Sequence, residues 1–425
     1  MRVAVIGLGV GYALACCLSE AGYNTVGIDV NPDIVTNPRE DASVSRLMKN
    51  RRARKRILQQ LTLTTNYSSV QACSFIVVCV STGDANELIL GHVTECVLQV
   101  LKELRASKTK RLPIIMVYST LPFGSSKRIR EIFAREKVEM DKQVGYVHFP
   151  LMIAQGTTAE DFVNPPFVVF GSYTKRIAKR ASRFYQQFIS RSCLYSGKLP
   201  PMFVGTPEEA ELAKLSANAY LTTKIALANE IGSLCEGLNV DGQKIMGIVG
   251  SDWRIVKKFT RPGYAVGGQC FPRDLKSLIE TYHQSNVNPH ILTAVDSSNE
   301  ERVLAPIGKI EGHRILVLGT SYKEGVRDER GSQVSKLIAH LRTKGYSVIA
   351  LDPKSSKPET IRDGLSKNET VLVTIPEKSF RELGTTLGAQ TKVVLDFANI
   401  INPRVLPVNT RLWKAGRGWI KREIC

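Results

Sequence analysis

MRVAVIGLGVGYALACCLSEAGYNTVGID, running from Met1 to Asp29, decides how the rest of the chain is read. A short apolar run, Val3–Ile6, ends at Gly7-Leu8-Gly9-Val10-Gly11. Tyr12–Ala21 is a proline-free stretch of helix formers, and a second strand candidate, Thr25–Asp29, closes with Gly27-Ile28-Asp29. Strand, glycine turn, helix and strand in that order open a βαβ unit. Glycines allow the tight turn and let backbone N–H groups approach a pyrophosphate at the helix N-terminus. A carboxylate about 20 residues further on, here Asp29, is placed to accept both ribose hydroxyls, which favours NAD over NADP. Gly7, Gly9, Val10, Gly11 and Asp29 are therefore the candidate cofactor residues. The same residues also fit a purely structural turn. Their spacing, G-x-G-x-G, is one residue short of G-x-G-x-x-G, so the turn is shortened and the pyrophosphate contact is expected to weaken or move.

Outward from this unit, short β-rich runs alternate with helical stretches through the first 170 residues, the pattern of a parallel sheet. Phe75–Val80, Ile114–Tyr118, Gly145–His148 and Phe167–Phe170 are the further strand candidates. A helix-rich segment follows from about Pro207 to Leu304, and Glu208–Leu238 reads as one long helix. From His313 a second alternating pattern begins, with strands expected at Ile315–Leu318, Ser347–Leu351, Thr370–Thr374 and Val393–Asp396. The expected fold is α/β, with two Rossmann-like doubly wound parallel-sheet domains joined by a central helical domain. The boundaries fall at 1–200, 201–305 and 306–425.

With 425 residues, 43% hydrophobic and 23% charged, the chain has the composition of a globular protein of two or three domains. Its apolar runs are strand-sized, far short of the roughly 20 residues a membrane span needs, and its start lacks the pattern of a secretory signal. A cytoplasmic protein without a membrane segment is expected. Nine scattered cysteines, Cys425 among them, form no C-x-x-C pair and have no histidine at metal-ligand spacing, so no metal is expected. Apart from Cys270, they read as small buried hydrophobes. The net charge of +19 is partly concentrated in Lys49–Arg56. No nucleic-acid motif accompanies that run, so it reads as a solvated helix face, and a positive surface also steers diphosphate ligands.

Gly267-Gly268-Gln269-Cys270-Phe271-Pro272-Arg273-Asp274 carries the chemistry. Two glycines free the backbone beside a cysteine, and a carboxylate follows four residues later. Alone, the string also admits Cys270 as a buried thiol and Asp274 as a helix cap, the lesser of the two readings. Together with the motifs below, the string resembles the UDP-glucose/GDP-mannose dehydrogenase family, whose pattern is G-G-x-C-hydrophobic-P-K/R-D. The resemblance runs across essentially the whole chain, in the same order and at similar spacing.

Residue by residue, the resemblance implies a site. Glu211–Asn218 is similar to the central-helix E-x-x-K-x-x-x-N, with Lys214 and Asn218 on one helix face, touching the sugar and stabilising its oxyanion. Ser119–Gly124 resembles S-T-V-P-x-G, whose threonine, Thr120, positions a water and borders the cofactor. Val80-Ser81-Thr82 resembles V-P-T, making Ser81 and Thr82 cofactor contacts. Tyr322-Lys323 and Asp328–Ser332 resemble F-K-x-x-T-x-D-x-R-x-S. Tyr322 and Lys323 are implied substrate contacts, and Arg330 an implied contact of nucleotide-sugar and cofactor. Arg261, Tyr264 and Gly267 fall in the family's substrate loop.

The implied reaction is NAD-dependent oxidation of a nucleotide-sugar C6 alcohol, UDP-glucose to UDP-glucuronate first among the candidates, in a homodimer. Cys270 adds to the aldehyde, the thiohemiacetal is oxidised to a thioester, and water releases the acid. Asp274 serves proton transfer. One departure bears on the last step. The family reads P-E-x-x-x-E-G where this chain has Pro150-Leu151-Met152-Ile153-Ala154-Gln155-Gly156, so both carboxylates are missing. Hydrolysis is then expected to be slow, or to pass to Asp274 and a Thr120-bound water. The alternative is a catalytically impaired nucleotide-sugar-binding homologue. A 3-hydroxyacid or 6-phosphogluconate-type dehydrogenase leaves Cys270 and the second α/β segment unexplained.

Overall fold

The computed structural model describes residues 1–38, 42–83, 87–107, 112–326, 328–381 and 383–421. The chain forms two compact units that part inside the long helix, between Ser216 and Ala217.

The first unit is built on eight strands: β1 (Arg2–Ile6), β2 (Asn24–Ile28), β3 (Leu61–Thr64), β4 (Phe75–Val78), β5 (Ile114–Val117), β6 (Gly145–His148), β7 (Val168–Gly171) and β8 (Met202–Gly205). Their order is β3-β2-β1-β4-β5-β6-β7-β8, so the strand order reverses between β1 and β4. That reversal opens a crevice at the carboxyl ends of the strands, where ligands of such sheets bind. Both faces are covered, which is why the central strands β4 and β5 are apolar at every position. Val3, Val5, Phe75, Val77, Ile114 and Met116 enter one core, and Ala4, Ile6, Ile76, Val78, Ile115 and Val117 the other.

Every residue of the helix Gly11–Glu20 is buried, because the helices Arg51–Gln60 and Thr158–Val163 pack over it. The basic run is a solvated face: Arg51, Arg52, Arg54 and Lys55 are exposed, while Ala53 and Ile57 face inward. Asn50 starts that helix by accepting from the N–H groups of Arg52 and Ala53.

The expected parallel sheet is interrupted once. β7 runs antiparallel to β6, joined to it through His148 and Gly171, and β8 is parallel to β7. β3 and β8 lie outside the strands predicted from the apolar pattern. Both are edge strands: β3 alternates leucine with threonine, and β8 exposes Phe203 and Val204, so neither has the continuous apolar run of a central strand.

The long helix is Pro207–Leu238. It begins with a reciprocal cap, in which the Glu209 side chain accepts from Thr206 N–H at 2.6 Å and Thr206 Oγ1 accepts from Glu209 N–H at 3.2 Å. Proline at its first position and two glutamates in its first turn suit a helix start.

The second unit contains the helices Phe271–Gln284 and His290–Leu304 and a six-stranded sheet. Its strands are β9 (Arg314–Leu318), β10 (Ser347–Leu351), β11 (Thr370–Val373), β12 (Val393–Asp396), β13 (Arg411–Lys414) and β14 (Gly418–Trp419). The order β10-β9-β11-β12-β13-β14 is parallel except for the last pair, and reverses between β9 and β11. The short β13 and β14 lie outside the predicted strands, since charged residues flank the apolar pair of β13 and β14 is only two residues long. The two α/β domains and the helical segment between them agree with the expected fold class.

Candidate active site

In the first unit, β1 ends in a turn set by Gly7 at φ +88°. A Cβ there would lie 2.7 Å from the Val80 backbone nitrogen, so only glycine fits. Gly11 opens the helix and has the same restriction for another reason: its Cβ would meet Val5 Cγ1 at 2.9 Å. Gly9 has open space around it, and Gly9 and Val10 are exposed at the helix N-terminus. The shortened motif thus retains a turn glycine, an approachable glycine and a packing glycine. Asp29 follows β2, accepting from Leu8 N–H at 2.7 Å through Oδ2 and from Asn31 N–H at 3.0 Å through Oδ1. An approachable turn at a helix N-terminus, with a carboxylate fixed at the end of β2, suits the pyrophosphate and ribose of NAD.

Along the same strand ends, Ser81 is exposed with its hydroxyl on Gly83 O, and Thr82 is buried. Ser119 Oγ donates to Val80 O at 2.7 Å, tying the segment after β5 to that after β4, next to half-buried Thr120. Lys214 is buried on the long helix. Glu211, one turn before it, is fully buried and accepts from the N–H groups of Gly124 at 2.8 Å and Ser126 at 2.7 Å. Burial pushes its carboxyl up to about 7. The motif named Glu211, but its bond to residues 85 and 87 positions away is invisible in sequence. Leu151 packs against the core and Gln155 is exposed.

In the second unit, Cys270 is exposed and immediately precedes the helix Phe271–Gln284. The helix N-terminus favours negative charge at that position. Asp274 N–H donates to Cys270 O at 2.8 Å, closing the first turn. The Asp274 carboxylate is fully buried, accepting from Asn218 Nδ2 at 2.6 Å and pairing with Arg273 at 3.0 Å. Gly268 has φ +90°, and a Cβ on it would lie 2.8 Å from the Tyr322 ring. Gly268 N–H donates to Gly331 O at 2.9 Å, and Gly267 packs beside Gly331 and Gln333. The structure therefore brings together Gly267, Gly268, Cys270, Asp274, Asn218 and Tyr322.

The remaining expected residues of this unit lie nearer the surface or bond to other groups. Arg330 is largely exposed and doubly bonded to Asp328. Lys323 and Arg261 are exposed. Tyr264 donates its hydroxyl to Val303 O at 2.9 Å and packs edge-on against Phe397.

The second sheet repeats the ribose corner of the first, at residues outside the predicted site. Gly319 N–H donates to Leu351 O at 2.8 Å, as Gly7 N–H does to Ile28 O at 2.8 Å. Asp352 Oδ2 accepts from Thr320 N–H, and Oδ1 from Lys354 N–H, as Asp29 does from Leu8 and Asn31. The signal was an aspartate after a β-run facing a strand-end glycine.

Of the eight described cysteines, six are buried as expected, while Cys193 and Cys270 are exposed; Cys425 lies outside the described residues. Among the described residues there is no metal-binding cluster, and no helix is long and apolar enough to cross a membrane.

Two nucleotide-type sheets, one with an approachable glycine turn and a strand-end aspartate, define a class of protein built to hold a dinucleotide and a second nucleotide ligand. Comparison with known families agrees. Residues 1–189 match the NAD binding domain of the UDP-glucose/GDP-mannose dehydrogenase family, 208–301 its central domain and 316–403 its UDP binding domain. The chain belongs to this family, and its cofactor is NAD. It is 26% identical to the UDP-glucose 6-dehydrogenase AglM of Haloferax volcanii, over 95% of this chain and 98% of that protein. It is 27% identical to the GDP-mannose 6-dehydrogenase of Pseudomonas putida, over 94% and 90%. In fold it is similar to the UDP-D-ManNAc dehydrogenase of Pyrococcus horikoshii, with TM-score 0.83, 21% identity and coverage of 98% and 100%.

Proposed function

We propose that this protein oxidises the C6 alcohol of a nucleotide-sugar to the acid, with UDP-glucose as substrate and Cys270 as nucleophile. The observation that carries the reading is exposed Cys270 at a helix start, one turn from a buried Asp274 bound to Asn218 and Arg273. The alcohol loses a hydride and a proton, giving an aldehyde. The Cys270 thiolate adds to the aldehyde carbon, and the thiohemiacetal loses a second hydride and proton. Water then cleaves the thioester, returning the thiol and releasing the acid. NAD, when bound, accepts one hydride in each oxidation. Lys214 and Asn218 stabilise charge on the substrate oxygen, with Asp274 orienting Asn218 and relaying protons through water.

Gly7, Gly9, Val10, Gly11, Asp29, Ser81, Thr82, Thr120 and Arg330 serve the cofactor in this reading. Arg261, Tyr264, Gly267, Tyr322 and Lys323 serve the nucleotide-sugar. The domain division is 1–200, 201–305 and 306–425. A homodimer is supported by an exposed apolar row on the long helix, Tyr220, Leu227, Leu234 and Leu238.

Leu151 and Gln155, where the family carries glutamates, favour one second reading: a homologue that binds nucleotide-sugar but stalls before hydrolysis. The test follows NADH at 340 nm and acid product with NAD and UDP-glucose. Two NADH per acid, abolished in Cys270→Ser, is the expected result. A burst of NADH without acid selects the stalled reading. No NADH with UDP-, GDP- or N-acetylhexosamine nucleotides overturns the enzymatic one.

A further inference from the structure

The helix Ser125–Arg135 begins at Gly124, which has φ +83° and no side chain to cap the helix's first N–H groups. Those groups would be left unsatisfied. Glu211 satisfies them from the long helix, taking Gly124 N–H and Ser126 N–H on its two oxygens. The segment it holds is the one bearing Thr120, further tied by Ser125 Oγ to Pro122 O at 2.7 Å and by Ser119 Oγ to Val80 O at 2.7 Å. Lys214 lies three residues after Glu211 on the same helix face.

We propose that Glu211 is a positioning residue: its ionised carboxylate clamps the Ser119–Gly124 loop to the helix that carries Lys214, and so sets the position of Thr120 at the cofactor. The clamp rests on the reading of Thr120 as a cofactor contact. Both carboxylate oxygens are used as acceptors, so a proton on either would face an N–H with another donor. Burial holds the Glu211 carboxyl up near 7, which puts that protonation within the working range. The groups facing it are Glu208 from its own helix, Ser126 from the clamped helix, and Tyr146 from β6, bonded to Ser126 Oγ at 2.9 Å. Tyr173 adjoins them, donating to Glu208 at 2.8 Å with Arg130 over its ring. Glu208 opposes ionisation of Glu211, so the clamp is poised rather than permanently charged.

The experiment compares the full-length wild type with Glu211→Gln and Glu211→Asp between pH 6 and 8.5. It measures NAD dissociation constants, amide exchange of the 119–126 segment, and NADH formation from UDP-glucose with KM for NAD and kcat separated. In the wild type, NAD affinity falls as pH drops through 7. Glu211→Gln binds NAD about tenfold more weakly at every pH, with the pH step gone and exchange faster at residues 119–126 only. Glu211→Asp, which keeps the charge, recovers part of the affinity and the step. Wild-type affinity and exchange in Glu211→Gln overturn the clamp. If Glu211→Gln exchanges faster throughout the first unit, Glu211→Asp decides, and absence of the pH step there also overturns it. A wild type that binds NAD but makes no NADH removes the proposed function, while exchange and NAD affinity still decide on the clamp.

Discussion

Asp274→Asn keeps the shape of a fully buried side chain and removes its charge. Arg273, 7% exposed, then holds a guanidinium with no carboxylate beside it, and a single amide oxygen is left to accept from either Arg273 or Asn218 Nδ2, which reaches the carboxylate at 2.6 Å. Removing one partner of a buried pair costs about 3–5 kcal/mol, because the other charge stays buried and uncompensated. The asparagine retains one acceptor, so the loss is expected near about 4 kcal/mol. Arg273→Met with Asp274→Asn removes both charges, and recovers about 2–3 kcal/mol of that loss. Guanidinium unfolding followed by tryptophan fluorescence suits the measurement, because all three tryptophans, Trp253, Trp413 and Trp419, lie in the second unit. Trp413 is 1% exposed and reports the unfolding of that unit. A single-variant loss below about 1 kcal/mol, or additive single and double variants, would refute the buried pair as the anchor of the Cys270 helix start.

Gly268→Ala forces a Cβ to 2.8 Å from the Tyr322 ring at φ +90°, so it should cost about 1–3 kcal/mol and weaken nucleotide-sugar binding; calorimetry and fluorescence unfolding check both. Val256 is a half-exposed β-branched residue at φ +64°, in a segment pinned by Lys224 Nζ on the carbonyls of Ile255 and Val256. Val256→Gly should therefore stabilise the second unit by about 0.5–1 kcal/mol net of glycine's greater unfolded entropy, and destabilisation would count against strain there. His148 is fully buried, with Nδ1 on Val117 O at 3.1 Å, and burial holds its pKa down to about 3. A histidine depressed on folding contributes stability that is complete above its unfolded value near 6.5 and is lost as pH falls toward 3. Glu211, raised on folding, acts oppositely and disfavours folding as pH rises from 4.5 to about 7. Between pH 6.5 and 4.5 the two slopes oppose each other. His148→Gln should therefore leave the first unit gaining about 2–3 kcal/mol relative to wild type on acidification, read by amide exchange; parallel pH profiles would refute it.

Residues 1–29 determined the first nucleotide-binding unit by themselves, because strand, turn and helix are each encoded locally. Apolar runs of strand length, glycines where φ is positive and an aspartate two turns of logic downstream need no partner to be legible. The GGQCFPRD string likewise marked Cys270 and Asp274, and the proline-free run marked the long helix. Edge strands β3 and β8 escaped because half their residues face solvent, and the antiparallel turn at β7 because strand direction leaves no local trace. Only the tertiary structure showed that Glu211 caps a helix 85 residues away, that Arg273 and Asn218 converge on Asp274, and that Tyr322 packs on Gly268. Those are long-range pairings of buried polar and aromatic groups. Their partners are chosen by which surfaces the fold brings together, and no periodicity or spacing within one segment records that choice.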